Sequence, residues 1–429
     1  MATIIFFDSQ CIDGRAGHGG DALSHVRNGG VVVFRDCLSQ IGYAEKLREL
    51  TLAEMHLHCD ATQIQRIESE GFEKVHEILS AQQIFDVNVG LTERMKPELA
   101  RLIGLFASQM LGHDKRVYIY GLPVVRFFVP HDVFSGARDL FSKRQGFLQI
   151  QGPHHDTWFD HATESLNVWI AIGRVRRGNG LIVYPDHGKE YLAHDGKRSM
   201  PKSRCLGRSI SFDLESGDII FFHGETLHSS ELNVTSETRY VVTNRFTLNQ
   251  PRFKEHEQWQ TWYDSALLGT ALRRLAVWPT YAAKDYLLYK LKNNRLLRKL
   301  LKPKVVPSAE PVALPTVDAA GAGDVLRLND MPVGEIRALT KDRCILKSEH
   351  GFVAFSRFCP HEGADLAHAV YVDGHIQCPW HHLSFNAITG QQPCQSLRHL
   401  KMFPVNAADL SVPEAESTTG GQNAPLQQT

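Results

Sequence analysis

His154-His155-Asp156 constrains this chain more than any other stretch. His154 and Asp156 stand two apart, and on an extended strand side chains at i and i+2 leave the same face, so an imidazole and a carboxylate are expected to point at one spot. His155 and His161 are the other imidazoles nearby, and neither has a carboxylate two residues on. Further along, Gly217 to Ser230 reads as a buried strand and short turn carrying His223 and His228. Thr238 to Phe246 then reads as a second strand, carrying Arg239 and Arg245. One histidine from this region completes a set of two imidazoles and one carboxylate. That facial set leaves three metal positions open and suits oxygen activation at non-haem Fe(II). Spacing alone leaves His223 and His228 both eligible.

The order His-x-Asp, a distal His228, Ser230 two residues later and Arg239 eleven residues later resembles the phytanoyl-CoA dioxygenase-like branch of the Fe(II)/2-oxoglutarate oxygenases. The likeness runs over roughly residues 20 to 250 and favours His228 over His223. It implies iron held by His154, Asp156 and His228, and 2-oxoglutarate held by its far carboxylate on Arg239, a job suited to a planar guanidinium fork. Arg245 is the other candidate for that carboxylate. Asn167-Val168-Trp169-Ile170 resembles the family's inner strand, which implies that Trp169 lines the cosubstrate pocket. Ser230 stands at a cosubstrate-carboxylate position, and Gly178-Asn179-Gly180-Leu181 resembles the family turn. One departure is Pro185-Asp186-His187-Gly188-Lys189, where the family usually has Pro-Gly-Ser-His-Lys. The resemblance also implies a double-stranded β-helix, two antiparallel sheets rolled into a jelly roll. It further implies a reaction with O2 that yields succinate and CO2 and oxidises a small organic substrate. With Asp and not Gly or Ala at position 156, no coordination site is vacated for halide, so hydroxylation is expected.

A second constellation lies near the C-terminus. Cys359-Pro360-His361 and Cys378-Pro379-Trp380-His381 are separated by sixteen residues. Together with Glu362-Gly363-Ala364-Asp365-Leu366 and Phe385-Asn386-Ala387, they resemble the soluble Rieske ferredoxins and the Rieske domains of ring oxygenases. The resemblance implies a 2Fe–2S cluster with two thiolates on one iron and two imidazoles on the other. A tetrahedral zinc site is the rival use of the same four residues. In high-potential Rieske proteins a disulfide braces the two loops, and a Ser and a Tyr donate to the sulfurs. Here Ala364, Leu383 and Phe385 stand at those positions, which predicts a potential near the low end of the Rieske range, roughly −150 mV. His382 replaces the usual Gly.

The chain has 429 residues, room for two or three domains. The expected division is an oxygenase domain over 1–255, a basic helical segment and Pro-rich linker over 256–315, a small all-β Rieske domain over 316–412 and a tail over 413–429. The expected class is therefore mainly β with helices. In the oxygenase domain, helices are expected over Asp21–Val26, Ser39–Met55 with Ser39 as N-cap, and 92–111. Strands are expected at Thr3–Phe7 and Gly30–Phe34. Residues 271–304 carry ten Lys or Arg against one acid. That stretch reads as an exposed helix docked by its apolar stripe, and alternatively as a contact for anionic lipid or an acidic carrier.

Acidic and basic residues balance at 47 each, so overall charge does not point to nucleic acid. Eight cysteines without a scaffold spacing, and no leader-like or spanning apolar run, are what a cytoplasmic protein would show. A ferredoxin or flavin reductase is the expected electron donor, and a homo-oligomer is compatible with the pattern. Because 2-oxoglutarate already supplies the electrons for O2 activation, the cluster has three conceivable roles. It could keep the catalytic iron ferrous, drive O2 activation without 2-oxoglutarate, or serve in a redox-sensing binding protein. The last reading requires a defective iron site, yet His154, Asp156, His228 and Arg239 are all present.

Overall fold

The computed structural model describes residues 4–7, 17–143, 148, 150–159, 161–187, 190–194, 198–201, 206, 208–253, 262–265, 331–392, 394 and 397–405. The basic stretch 271–304 and the linker 305–315 lie outside these residues. The N-terminal part contains the strands β1 (Ile4–Phe7), β2 (Val31–Phe34), β3 (Tyr118–Tyr120), β4 (Val124–Phe128), β5 (Leu166–Ala171), β6 (Leu181–Val183), β7 (Ile210–Ser211), β8 (Ile219–His223), β9 (His228–Ser230), β10 (Arg239–Thr247) and β11 (Trp262–Asp264). They form a large sheet in the order β1-β2-β8-β5-β10-β3-β11, with β4 also on β10, and a small sheet in the order β7-β6-β9. Every pairing in the two sheets is antiparallel except β1 with β2. This is the expected jelly roll.

The two-residue period of the strands decides which residues meet the site. In β10, Tyr240, Val242 and Phe246 join the helix-covered core on the outer face of the large sheet. Val241, by contrast, packs with Trp169, Phe222 and Leu181 between the sheets. The residues that alternate with that outer set, Arg239, Thr243 and Arg245, therefore share the inner face with Val241. The register sets Arg126 beside Val241, Phe128 beside Arg239 and Asn167 beside Arg245. Polar residues are thus threaded through an otherwise apolar interior at chosen heights.

Three expectations about helices are corrected. The first helix runs over Gly17–Arg27, longer than the Asp21–Val26 expected. The stretch from Ser39 to Met55 is not one helix. A single turn at Cys37–Gln40 ends at Gly42, whose φ of 69° suits glycine, and a second helix covers Ala44–Met55, so Ser39 is no cap. The expected helix 92–111 begins much earlier. It spans Ala81–Leu105 and is followed by a π turn at Phe106–Met110. Its start is a capping box in which Ser80 and Gln83 exchange side-chain and backbone hydrogen bonds. Asn88 of this helix accepts from the Phe127 backbone N–H at 2.9 Å, fixing the helix against β4.

The C-terminal part is all-β among the described residues apart from one 3-10 turn. Strands β12 (Ile336–Ala338), β13 (Arg343–Ser348), β14 (Gly351–Ser356) and β18 (Met402–Phe403) form one sheet. Strands β15 (Val370–Val372), β16 (His375–Gln377) and β17 (Ser384–Asn386) form another. Asp373 and Gly374, at φ 49° and 75°, make the tight β15–β16 turn, where both central residues need positive φ. The two parts share an apolar cluster. It runs from Trp158, Ile182, Tyr184 and Leu232 of the jelly roll to Cys378, Trp380 and Leu383 of the small domain.

Candidate metal centres

His154 and Asp156 do not sit on a continuous strand, contrary to expectation. His154 makes an isolated antiparallel bridge to His228, and Asp156 opens a 3-10 turn over Asp156–Phe159. The chain turns there because the Asp156 backbone N–H donates to the Gly224 carbonyl instead of continuing the ladder. The two side chains still converge with His228: the three ligand atoms all lie within 4.8 Å of one another, and all three residues are buried. Both imidazole Nε2 atoms lie 3.9 Å from Asp156 Oδ1.

The backbone settles which ring nitrogens face inward. His154 Nδ1 donates to the Gly152 carbonyl at 2.7 Å and His228 Nδ1 to the Thr226 carbonyl at 2.8 Å. Each ring therefore presents Nε2 as a lone-pair donor, the state a metal requires. Burial first, and the neighbouring His228 second, pull the His154 pKa well below the ordinary histidine value, and burial lowers that of His228. Both rings are neutral at physiological pH.

Asp156 is held from behind by two residues that motif reading did not assign there. Its Oδ2 accepts from Asn167 Nδ2 at 2.5 Å and from Arg245 Nε at 2.9 Å, while Oδ1 accepts from Arg245 Nη2 at 2.7 Å. Burial would raise the carboxyl pKa, but the Arg245 guanidinium holds it well below the usual carboxylate range. Oδ2 is saturated and Oδ1 keeps a lone pair toward the imidazoles, so this carboxylate can give a cation one oxygen. Arg245 is committed to Asp156 and is not free for a cosubstrate. His223 lies at the end of β8 outside the ligand set, and its Nδ1 accepts from the Glu225 backbone N–H at 3.2 Å. His155 likewise points elsewhere, with its Nδ1 on the Glu225 carbonyl at 2.7 Å.

His154 and His228 border a cavity whose wall includes Arg126, Asn167, Trp169, Ser230 and Arg245, and Asp156 stands beside it on Asn167 and Arg245. Trp169 and Ser230 thus share a cavity with His154 and His228. Arg239 does not line this cavity. It lies one layer behind, with Nη1 donating to the Asn179 and Gly180 carbonyls at 2.5 and 2.6 Å and its guanidinium over the Phe128 ring at 4.4 Å. The cation on the wall beside Ser230 is Arg126, whose Nη1 lies 3.4 Å from Ser230 Oγ and whose Nε has no partner. Burial, and then the nearby Arg126, pull Arg239 down to about 9, and burial followed by Arg245 pulls Arg126 down to about 10. Positive charge crowded into a buried space with an unsatisfied donor makes this pocket a host for an anion.

In the small domain, Cys359 and Cys378 lie on facing loops and are buried. The Cys359 sulfur receives backbone hydrogen bonds from His361 and Glu362, and the Cys378 sulfur from Trp380 and His381. The His361 and His381 rings lie 5.1 Å apart. Among the described residues these four do not form a group of three or more ligand atoms within 4.8 Å, whereas the jelly-roll triad does. A single tetrahedral zinc would need such convergence, while a two-iron cluster spreads thiolates and imidazoles over two metals. The residues fit the cluster. Leu383 and Phe385 are 1% and 0% exposed, so apolar side chains occupy the places of the sulfur donors.

His382 has φ 55°, the left-handed region where glycine is at ease. Its ring pays back that strain across the domain boundary: Nε2 meets Ser209 Oγ at 2.5 Å, and Nδ1 meets Ser211 Oγ at 2.8 Å and Glu231 Oε1 at 3.0 Å.

The phytanoyl-CoA dioxygenase (PhyH) family model matches residues 27–241, half of the chain. The chain belongs to that family. A Rieske 2Fe–2S domain model matches residues 322–404 of this PhyH-family protein. The family is one of Fe(II)- and 2-oxoglutarate-dependent oxygenases, and the second domain carries a 2Fe–2S cluster. Among solved structures it is similar to the non-heme alpha ketoglutarate-dependent epimerase SnoN from nogalamycin biosynthesis, at 16% identity over 53% of this chain and 82% of that one, with a TM-score of 0.27. It is also similar to the carbocyclase SnoK from the same biosynthesis, at 14% identity over 56% and 87% with a TM-score of 0.30. A complex of reduced oxygenase and oxidized ferredoxin in carbazole 1,9a-dioxygenase matches at 28% identity over 18% of this chain and 84% of that chain, with a TM-score of 0.17. No curated protein matches the chain. Among the described residues, no helix of this PhyH-family oxygenase is long and apolar enough to cross a membrane.

Proposed function

We propose that this PhyH-family oxygenase hydroxylates a small organic substrate, and that its Rieske domain supplies the electron that returns the catalytic iron to the ferrous state. The observation that carries the reading is one cavity lined by the two neutral histidines of a two-histidine, one-carboxylate set and by a guanidinium with an unpartnered donor. That combination suits a dicarboxylic keto acid bound to a metal. His154, Asp156 and His228 hold Fe(II), with Asn167 and Arg245 orienting Asp156. When bound, the iron couples oxidative decarboxylation of 2-oxoglutarate to oxidation of the substrate by O2. Arg126 and Ser230 receive the far carboxylate, Arg239 adds positive potential from behind, and Trp169 closes one wall. The cluster rests on Cys359, His361, Cys378 and His381, and a reduced ferredoxin or flavin reductase recharges it.

The test is anaerobic titration of the Fe(II)-loaded protein with 2-oxoglutarate. A visible charge-transfer band should grow in the wild type and be absent in His228→Ala and Asp156→Ala. Iron should be found at both centres. No band in the wild type, or zinc at the C-terminal site, contradicts the reading.

A further inference from the structure

We infer that the Rieske domain works in cis: it docks on its own jelly roll through His382 and passes its electron to the catalytic iron where His381 approaches Gly152. This rests on the reading that the cluster serves that iron, and adds which chain it serves and by which atoms.

His381 Nε2 is buried and has no hydrogen-bond partner, although it is the ring edge turned toward the jelly roll. What it faces is Gly152. A Cβ built there would lie 3.7 Å from His381 Nε2 and 3.5 Å from Glu362 Oε2, so no more than the width of a methyl group separates the Gly152 backbone from the small domain. The Gly152 carbonyl in turn accepts from His154 Nδ1. Gly152 therefore lies next to a cluster histidine and holds an iron histidine by its carbonyl. A second connection runs beside it. The Trp380 carbonyl, one residue from His381, accepts from Ser229 Oγ at 3.1 Å and Tyr184 Oη at 2.6 Å, and Ser229 adjoins His228. The other cluster histidine, His361, faces His131 of the jelly roll with ring centroids 6.3 Å apart.

The docking is specific to this sequence. His382 adopts a backbone conformation better suited to glycine, and its ring is held by Ser209, Ser211 and the buried Glu231. Tyr184 precedes the segment Pro185–Lys189, the one place where the jelly roll departs from the family pattern. Tyr184 and His382 both bond across the same interface. The step itself makes and breaks no bond. One electron leaves the reduced cluster, which becomes oxidised, and Fe(III) becomes Fe(II). A reduced ferredoxin or flavin donor replaces the electron.

The test uses the full chain with both centres loaded. With the cluster reduced, microwave-power saturation of its EPR signal is measured with and without high-spin Fe(II) in the jelly roll. Reoxidation of the cluster by Fe(III) in the jelly roll is then followed in stopped flow at several protein concentrations. Iron in the jelly roll should speed cluster relaxation, and reoxidation should be first-order and independent of protein concentration. His382→Gly relieves the backbone and keeps the cluster spectrum. It should lose the relaxation effect and slow reoxidation by about tenfold or more, because three part-buried hydrogen bonds to the jelly roll are gone. Gly152→Phe should do the same by wedging, while Gly152→Ala should behave like the wild type. A rate that rises with protein concentration, or one unchanged in both His382→Gly and Gly152→Phe, overturns the cis contact but leaves electron delivery standing. Reoxidation no faster with Fe(III) in the jelly roll than in His228→Ala protein overturns delivery itself.

Discussion

Asp156 shows how a ligand is prepared before any metal arrives. With Asn167 and Arg245 saturating one oxygen, the carboxylate is oriented for one bond, and outer partners of this kind tune metal affinity by about 10–100-fold. Asn167→Ala and Arg245→Met should therefore each weaken Fe(II) or Co(II) binding by roughly that factor in a direct titration, with the fold retained. Arg126→Ala should weaken 2-oxoglutarate binding by about 30-fold or more, since losing one partner of a buried ionic contact costs ~2–5 kcal/mol. Arg239→Ala should cost less, because its guanidinium is already bonded to two carbonyls. The reverse ranking would place the carboxylate on Arg239, as the family resemblance implied. The metal ligands were legible because their spacing is bound to their chemistry. Arg126 was not: it is one cation in Val124-Val125-Arg126-Phe127-Phe128, and only the register of β4 on β10 brings it to the cavity. Its one visible signal was a lone charge in an apolar strand.

The strands of the jelly roll were readable because their alternation survives in the sequence, whereas helix limits were set by contacts that propensity does not encode. The helix over Ala81–Leu105 contains Pro97, which obscures its continuity, and its start is marked by Ser80, twelve residues ahead of the expected start at 92, with Gln83 as its partner. That capping box should be measurable. Ser80→Ala should lower stability by about 1 kcal/mol in chemical denaturation, through the lost acceptor for the Gln83 N–H. An unchanged midpoint would mean the helix start is held by tertiary contacts alone. The turn at Asp156 was illegible for a related reason: a hydrogen bond to Gly224, far along the chain, ends the extended run. His382 was visible as an oddity, but its partners Ser209, Ser211 and Glu231 lie in another domain and no local pattern announces them.

At the scale of the whole molecule, two redox centres share one apolar cluster and one hydrogen-bonded boundary, an arrangement suited to moving an electron between them. The coupled 2-oxoglutarate cycle returns iron as Fe(II) and needs no added electron, so the Rieske domain should matter only after an uncoupled turnover leaves Fe(III). A low cluster potential favours that rescue, since about 59 mV is tenfold in a one-electron equilibrium. The most direct measurement is the time course of succinate and product formation by His381→Ala protein, which lacks a cluster ligand but keeps the jelly-roll triad. The account predicts a normal first few turnovers with succinate matching product, then failure with succinate in excess of product, and ascorbate restoring activity. Sustained turnover without ascorbate would contradict the maintenance role. Absence of even the first turnover, with wild-type product tracking supplied reductant and not succinate, would show that the cluster drives O2 activation instead.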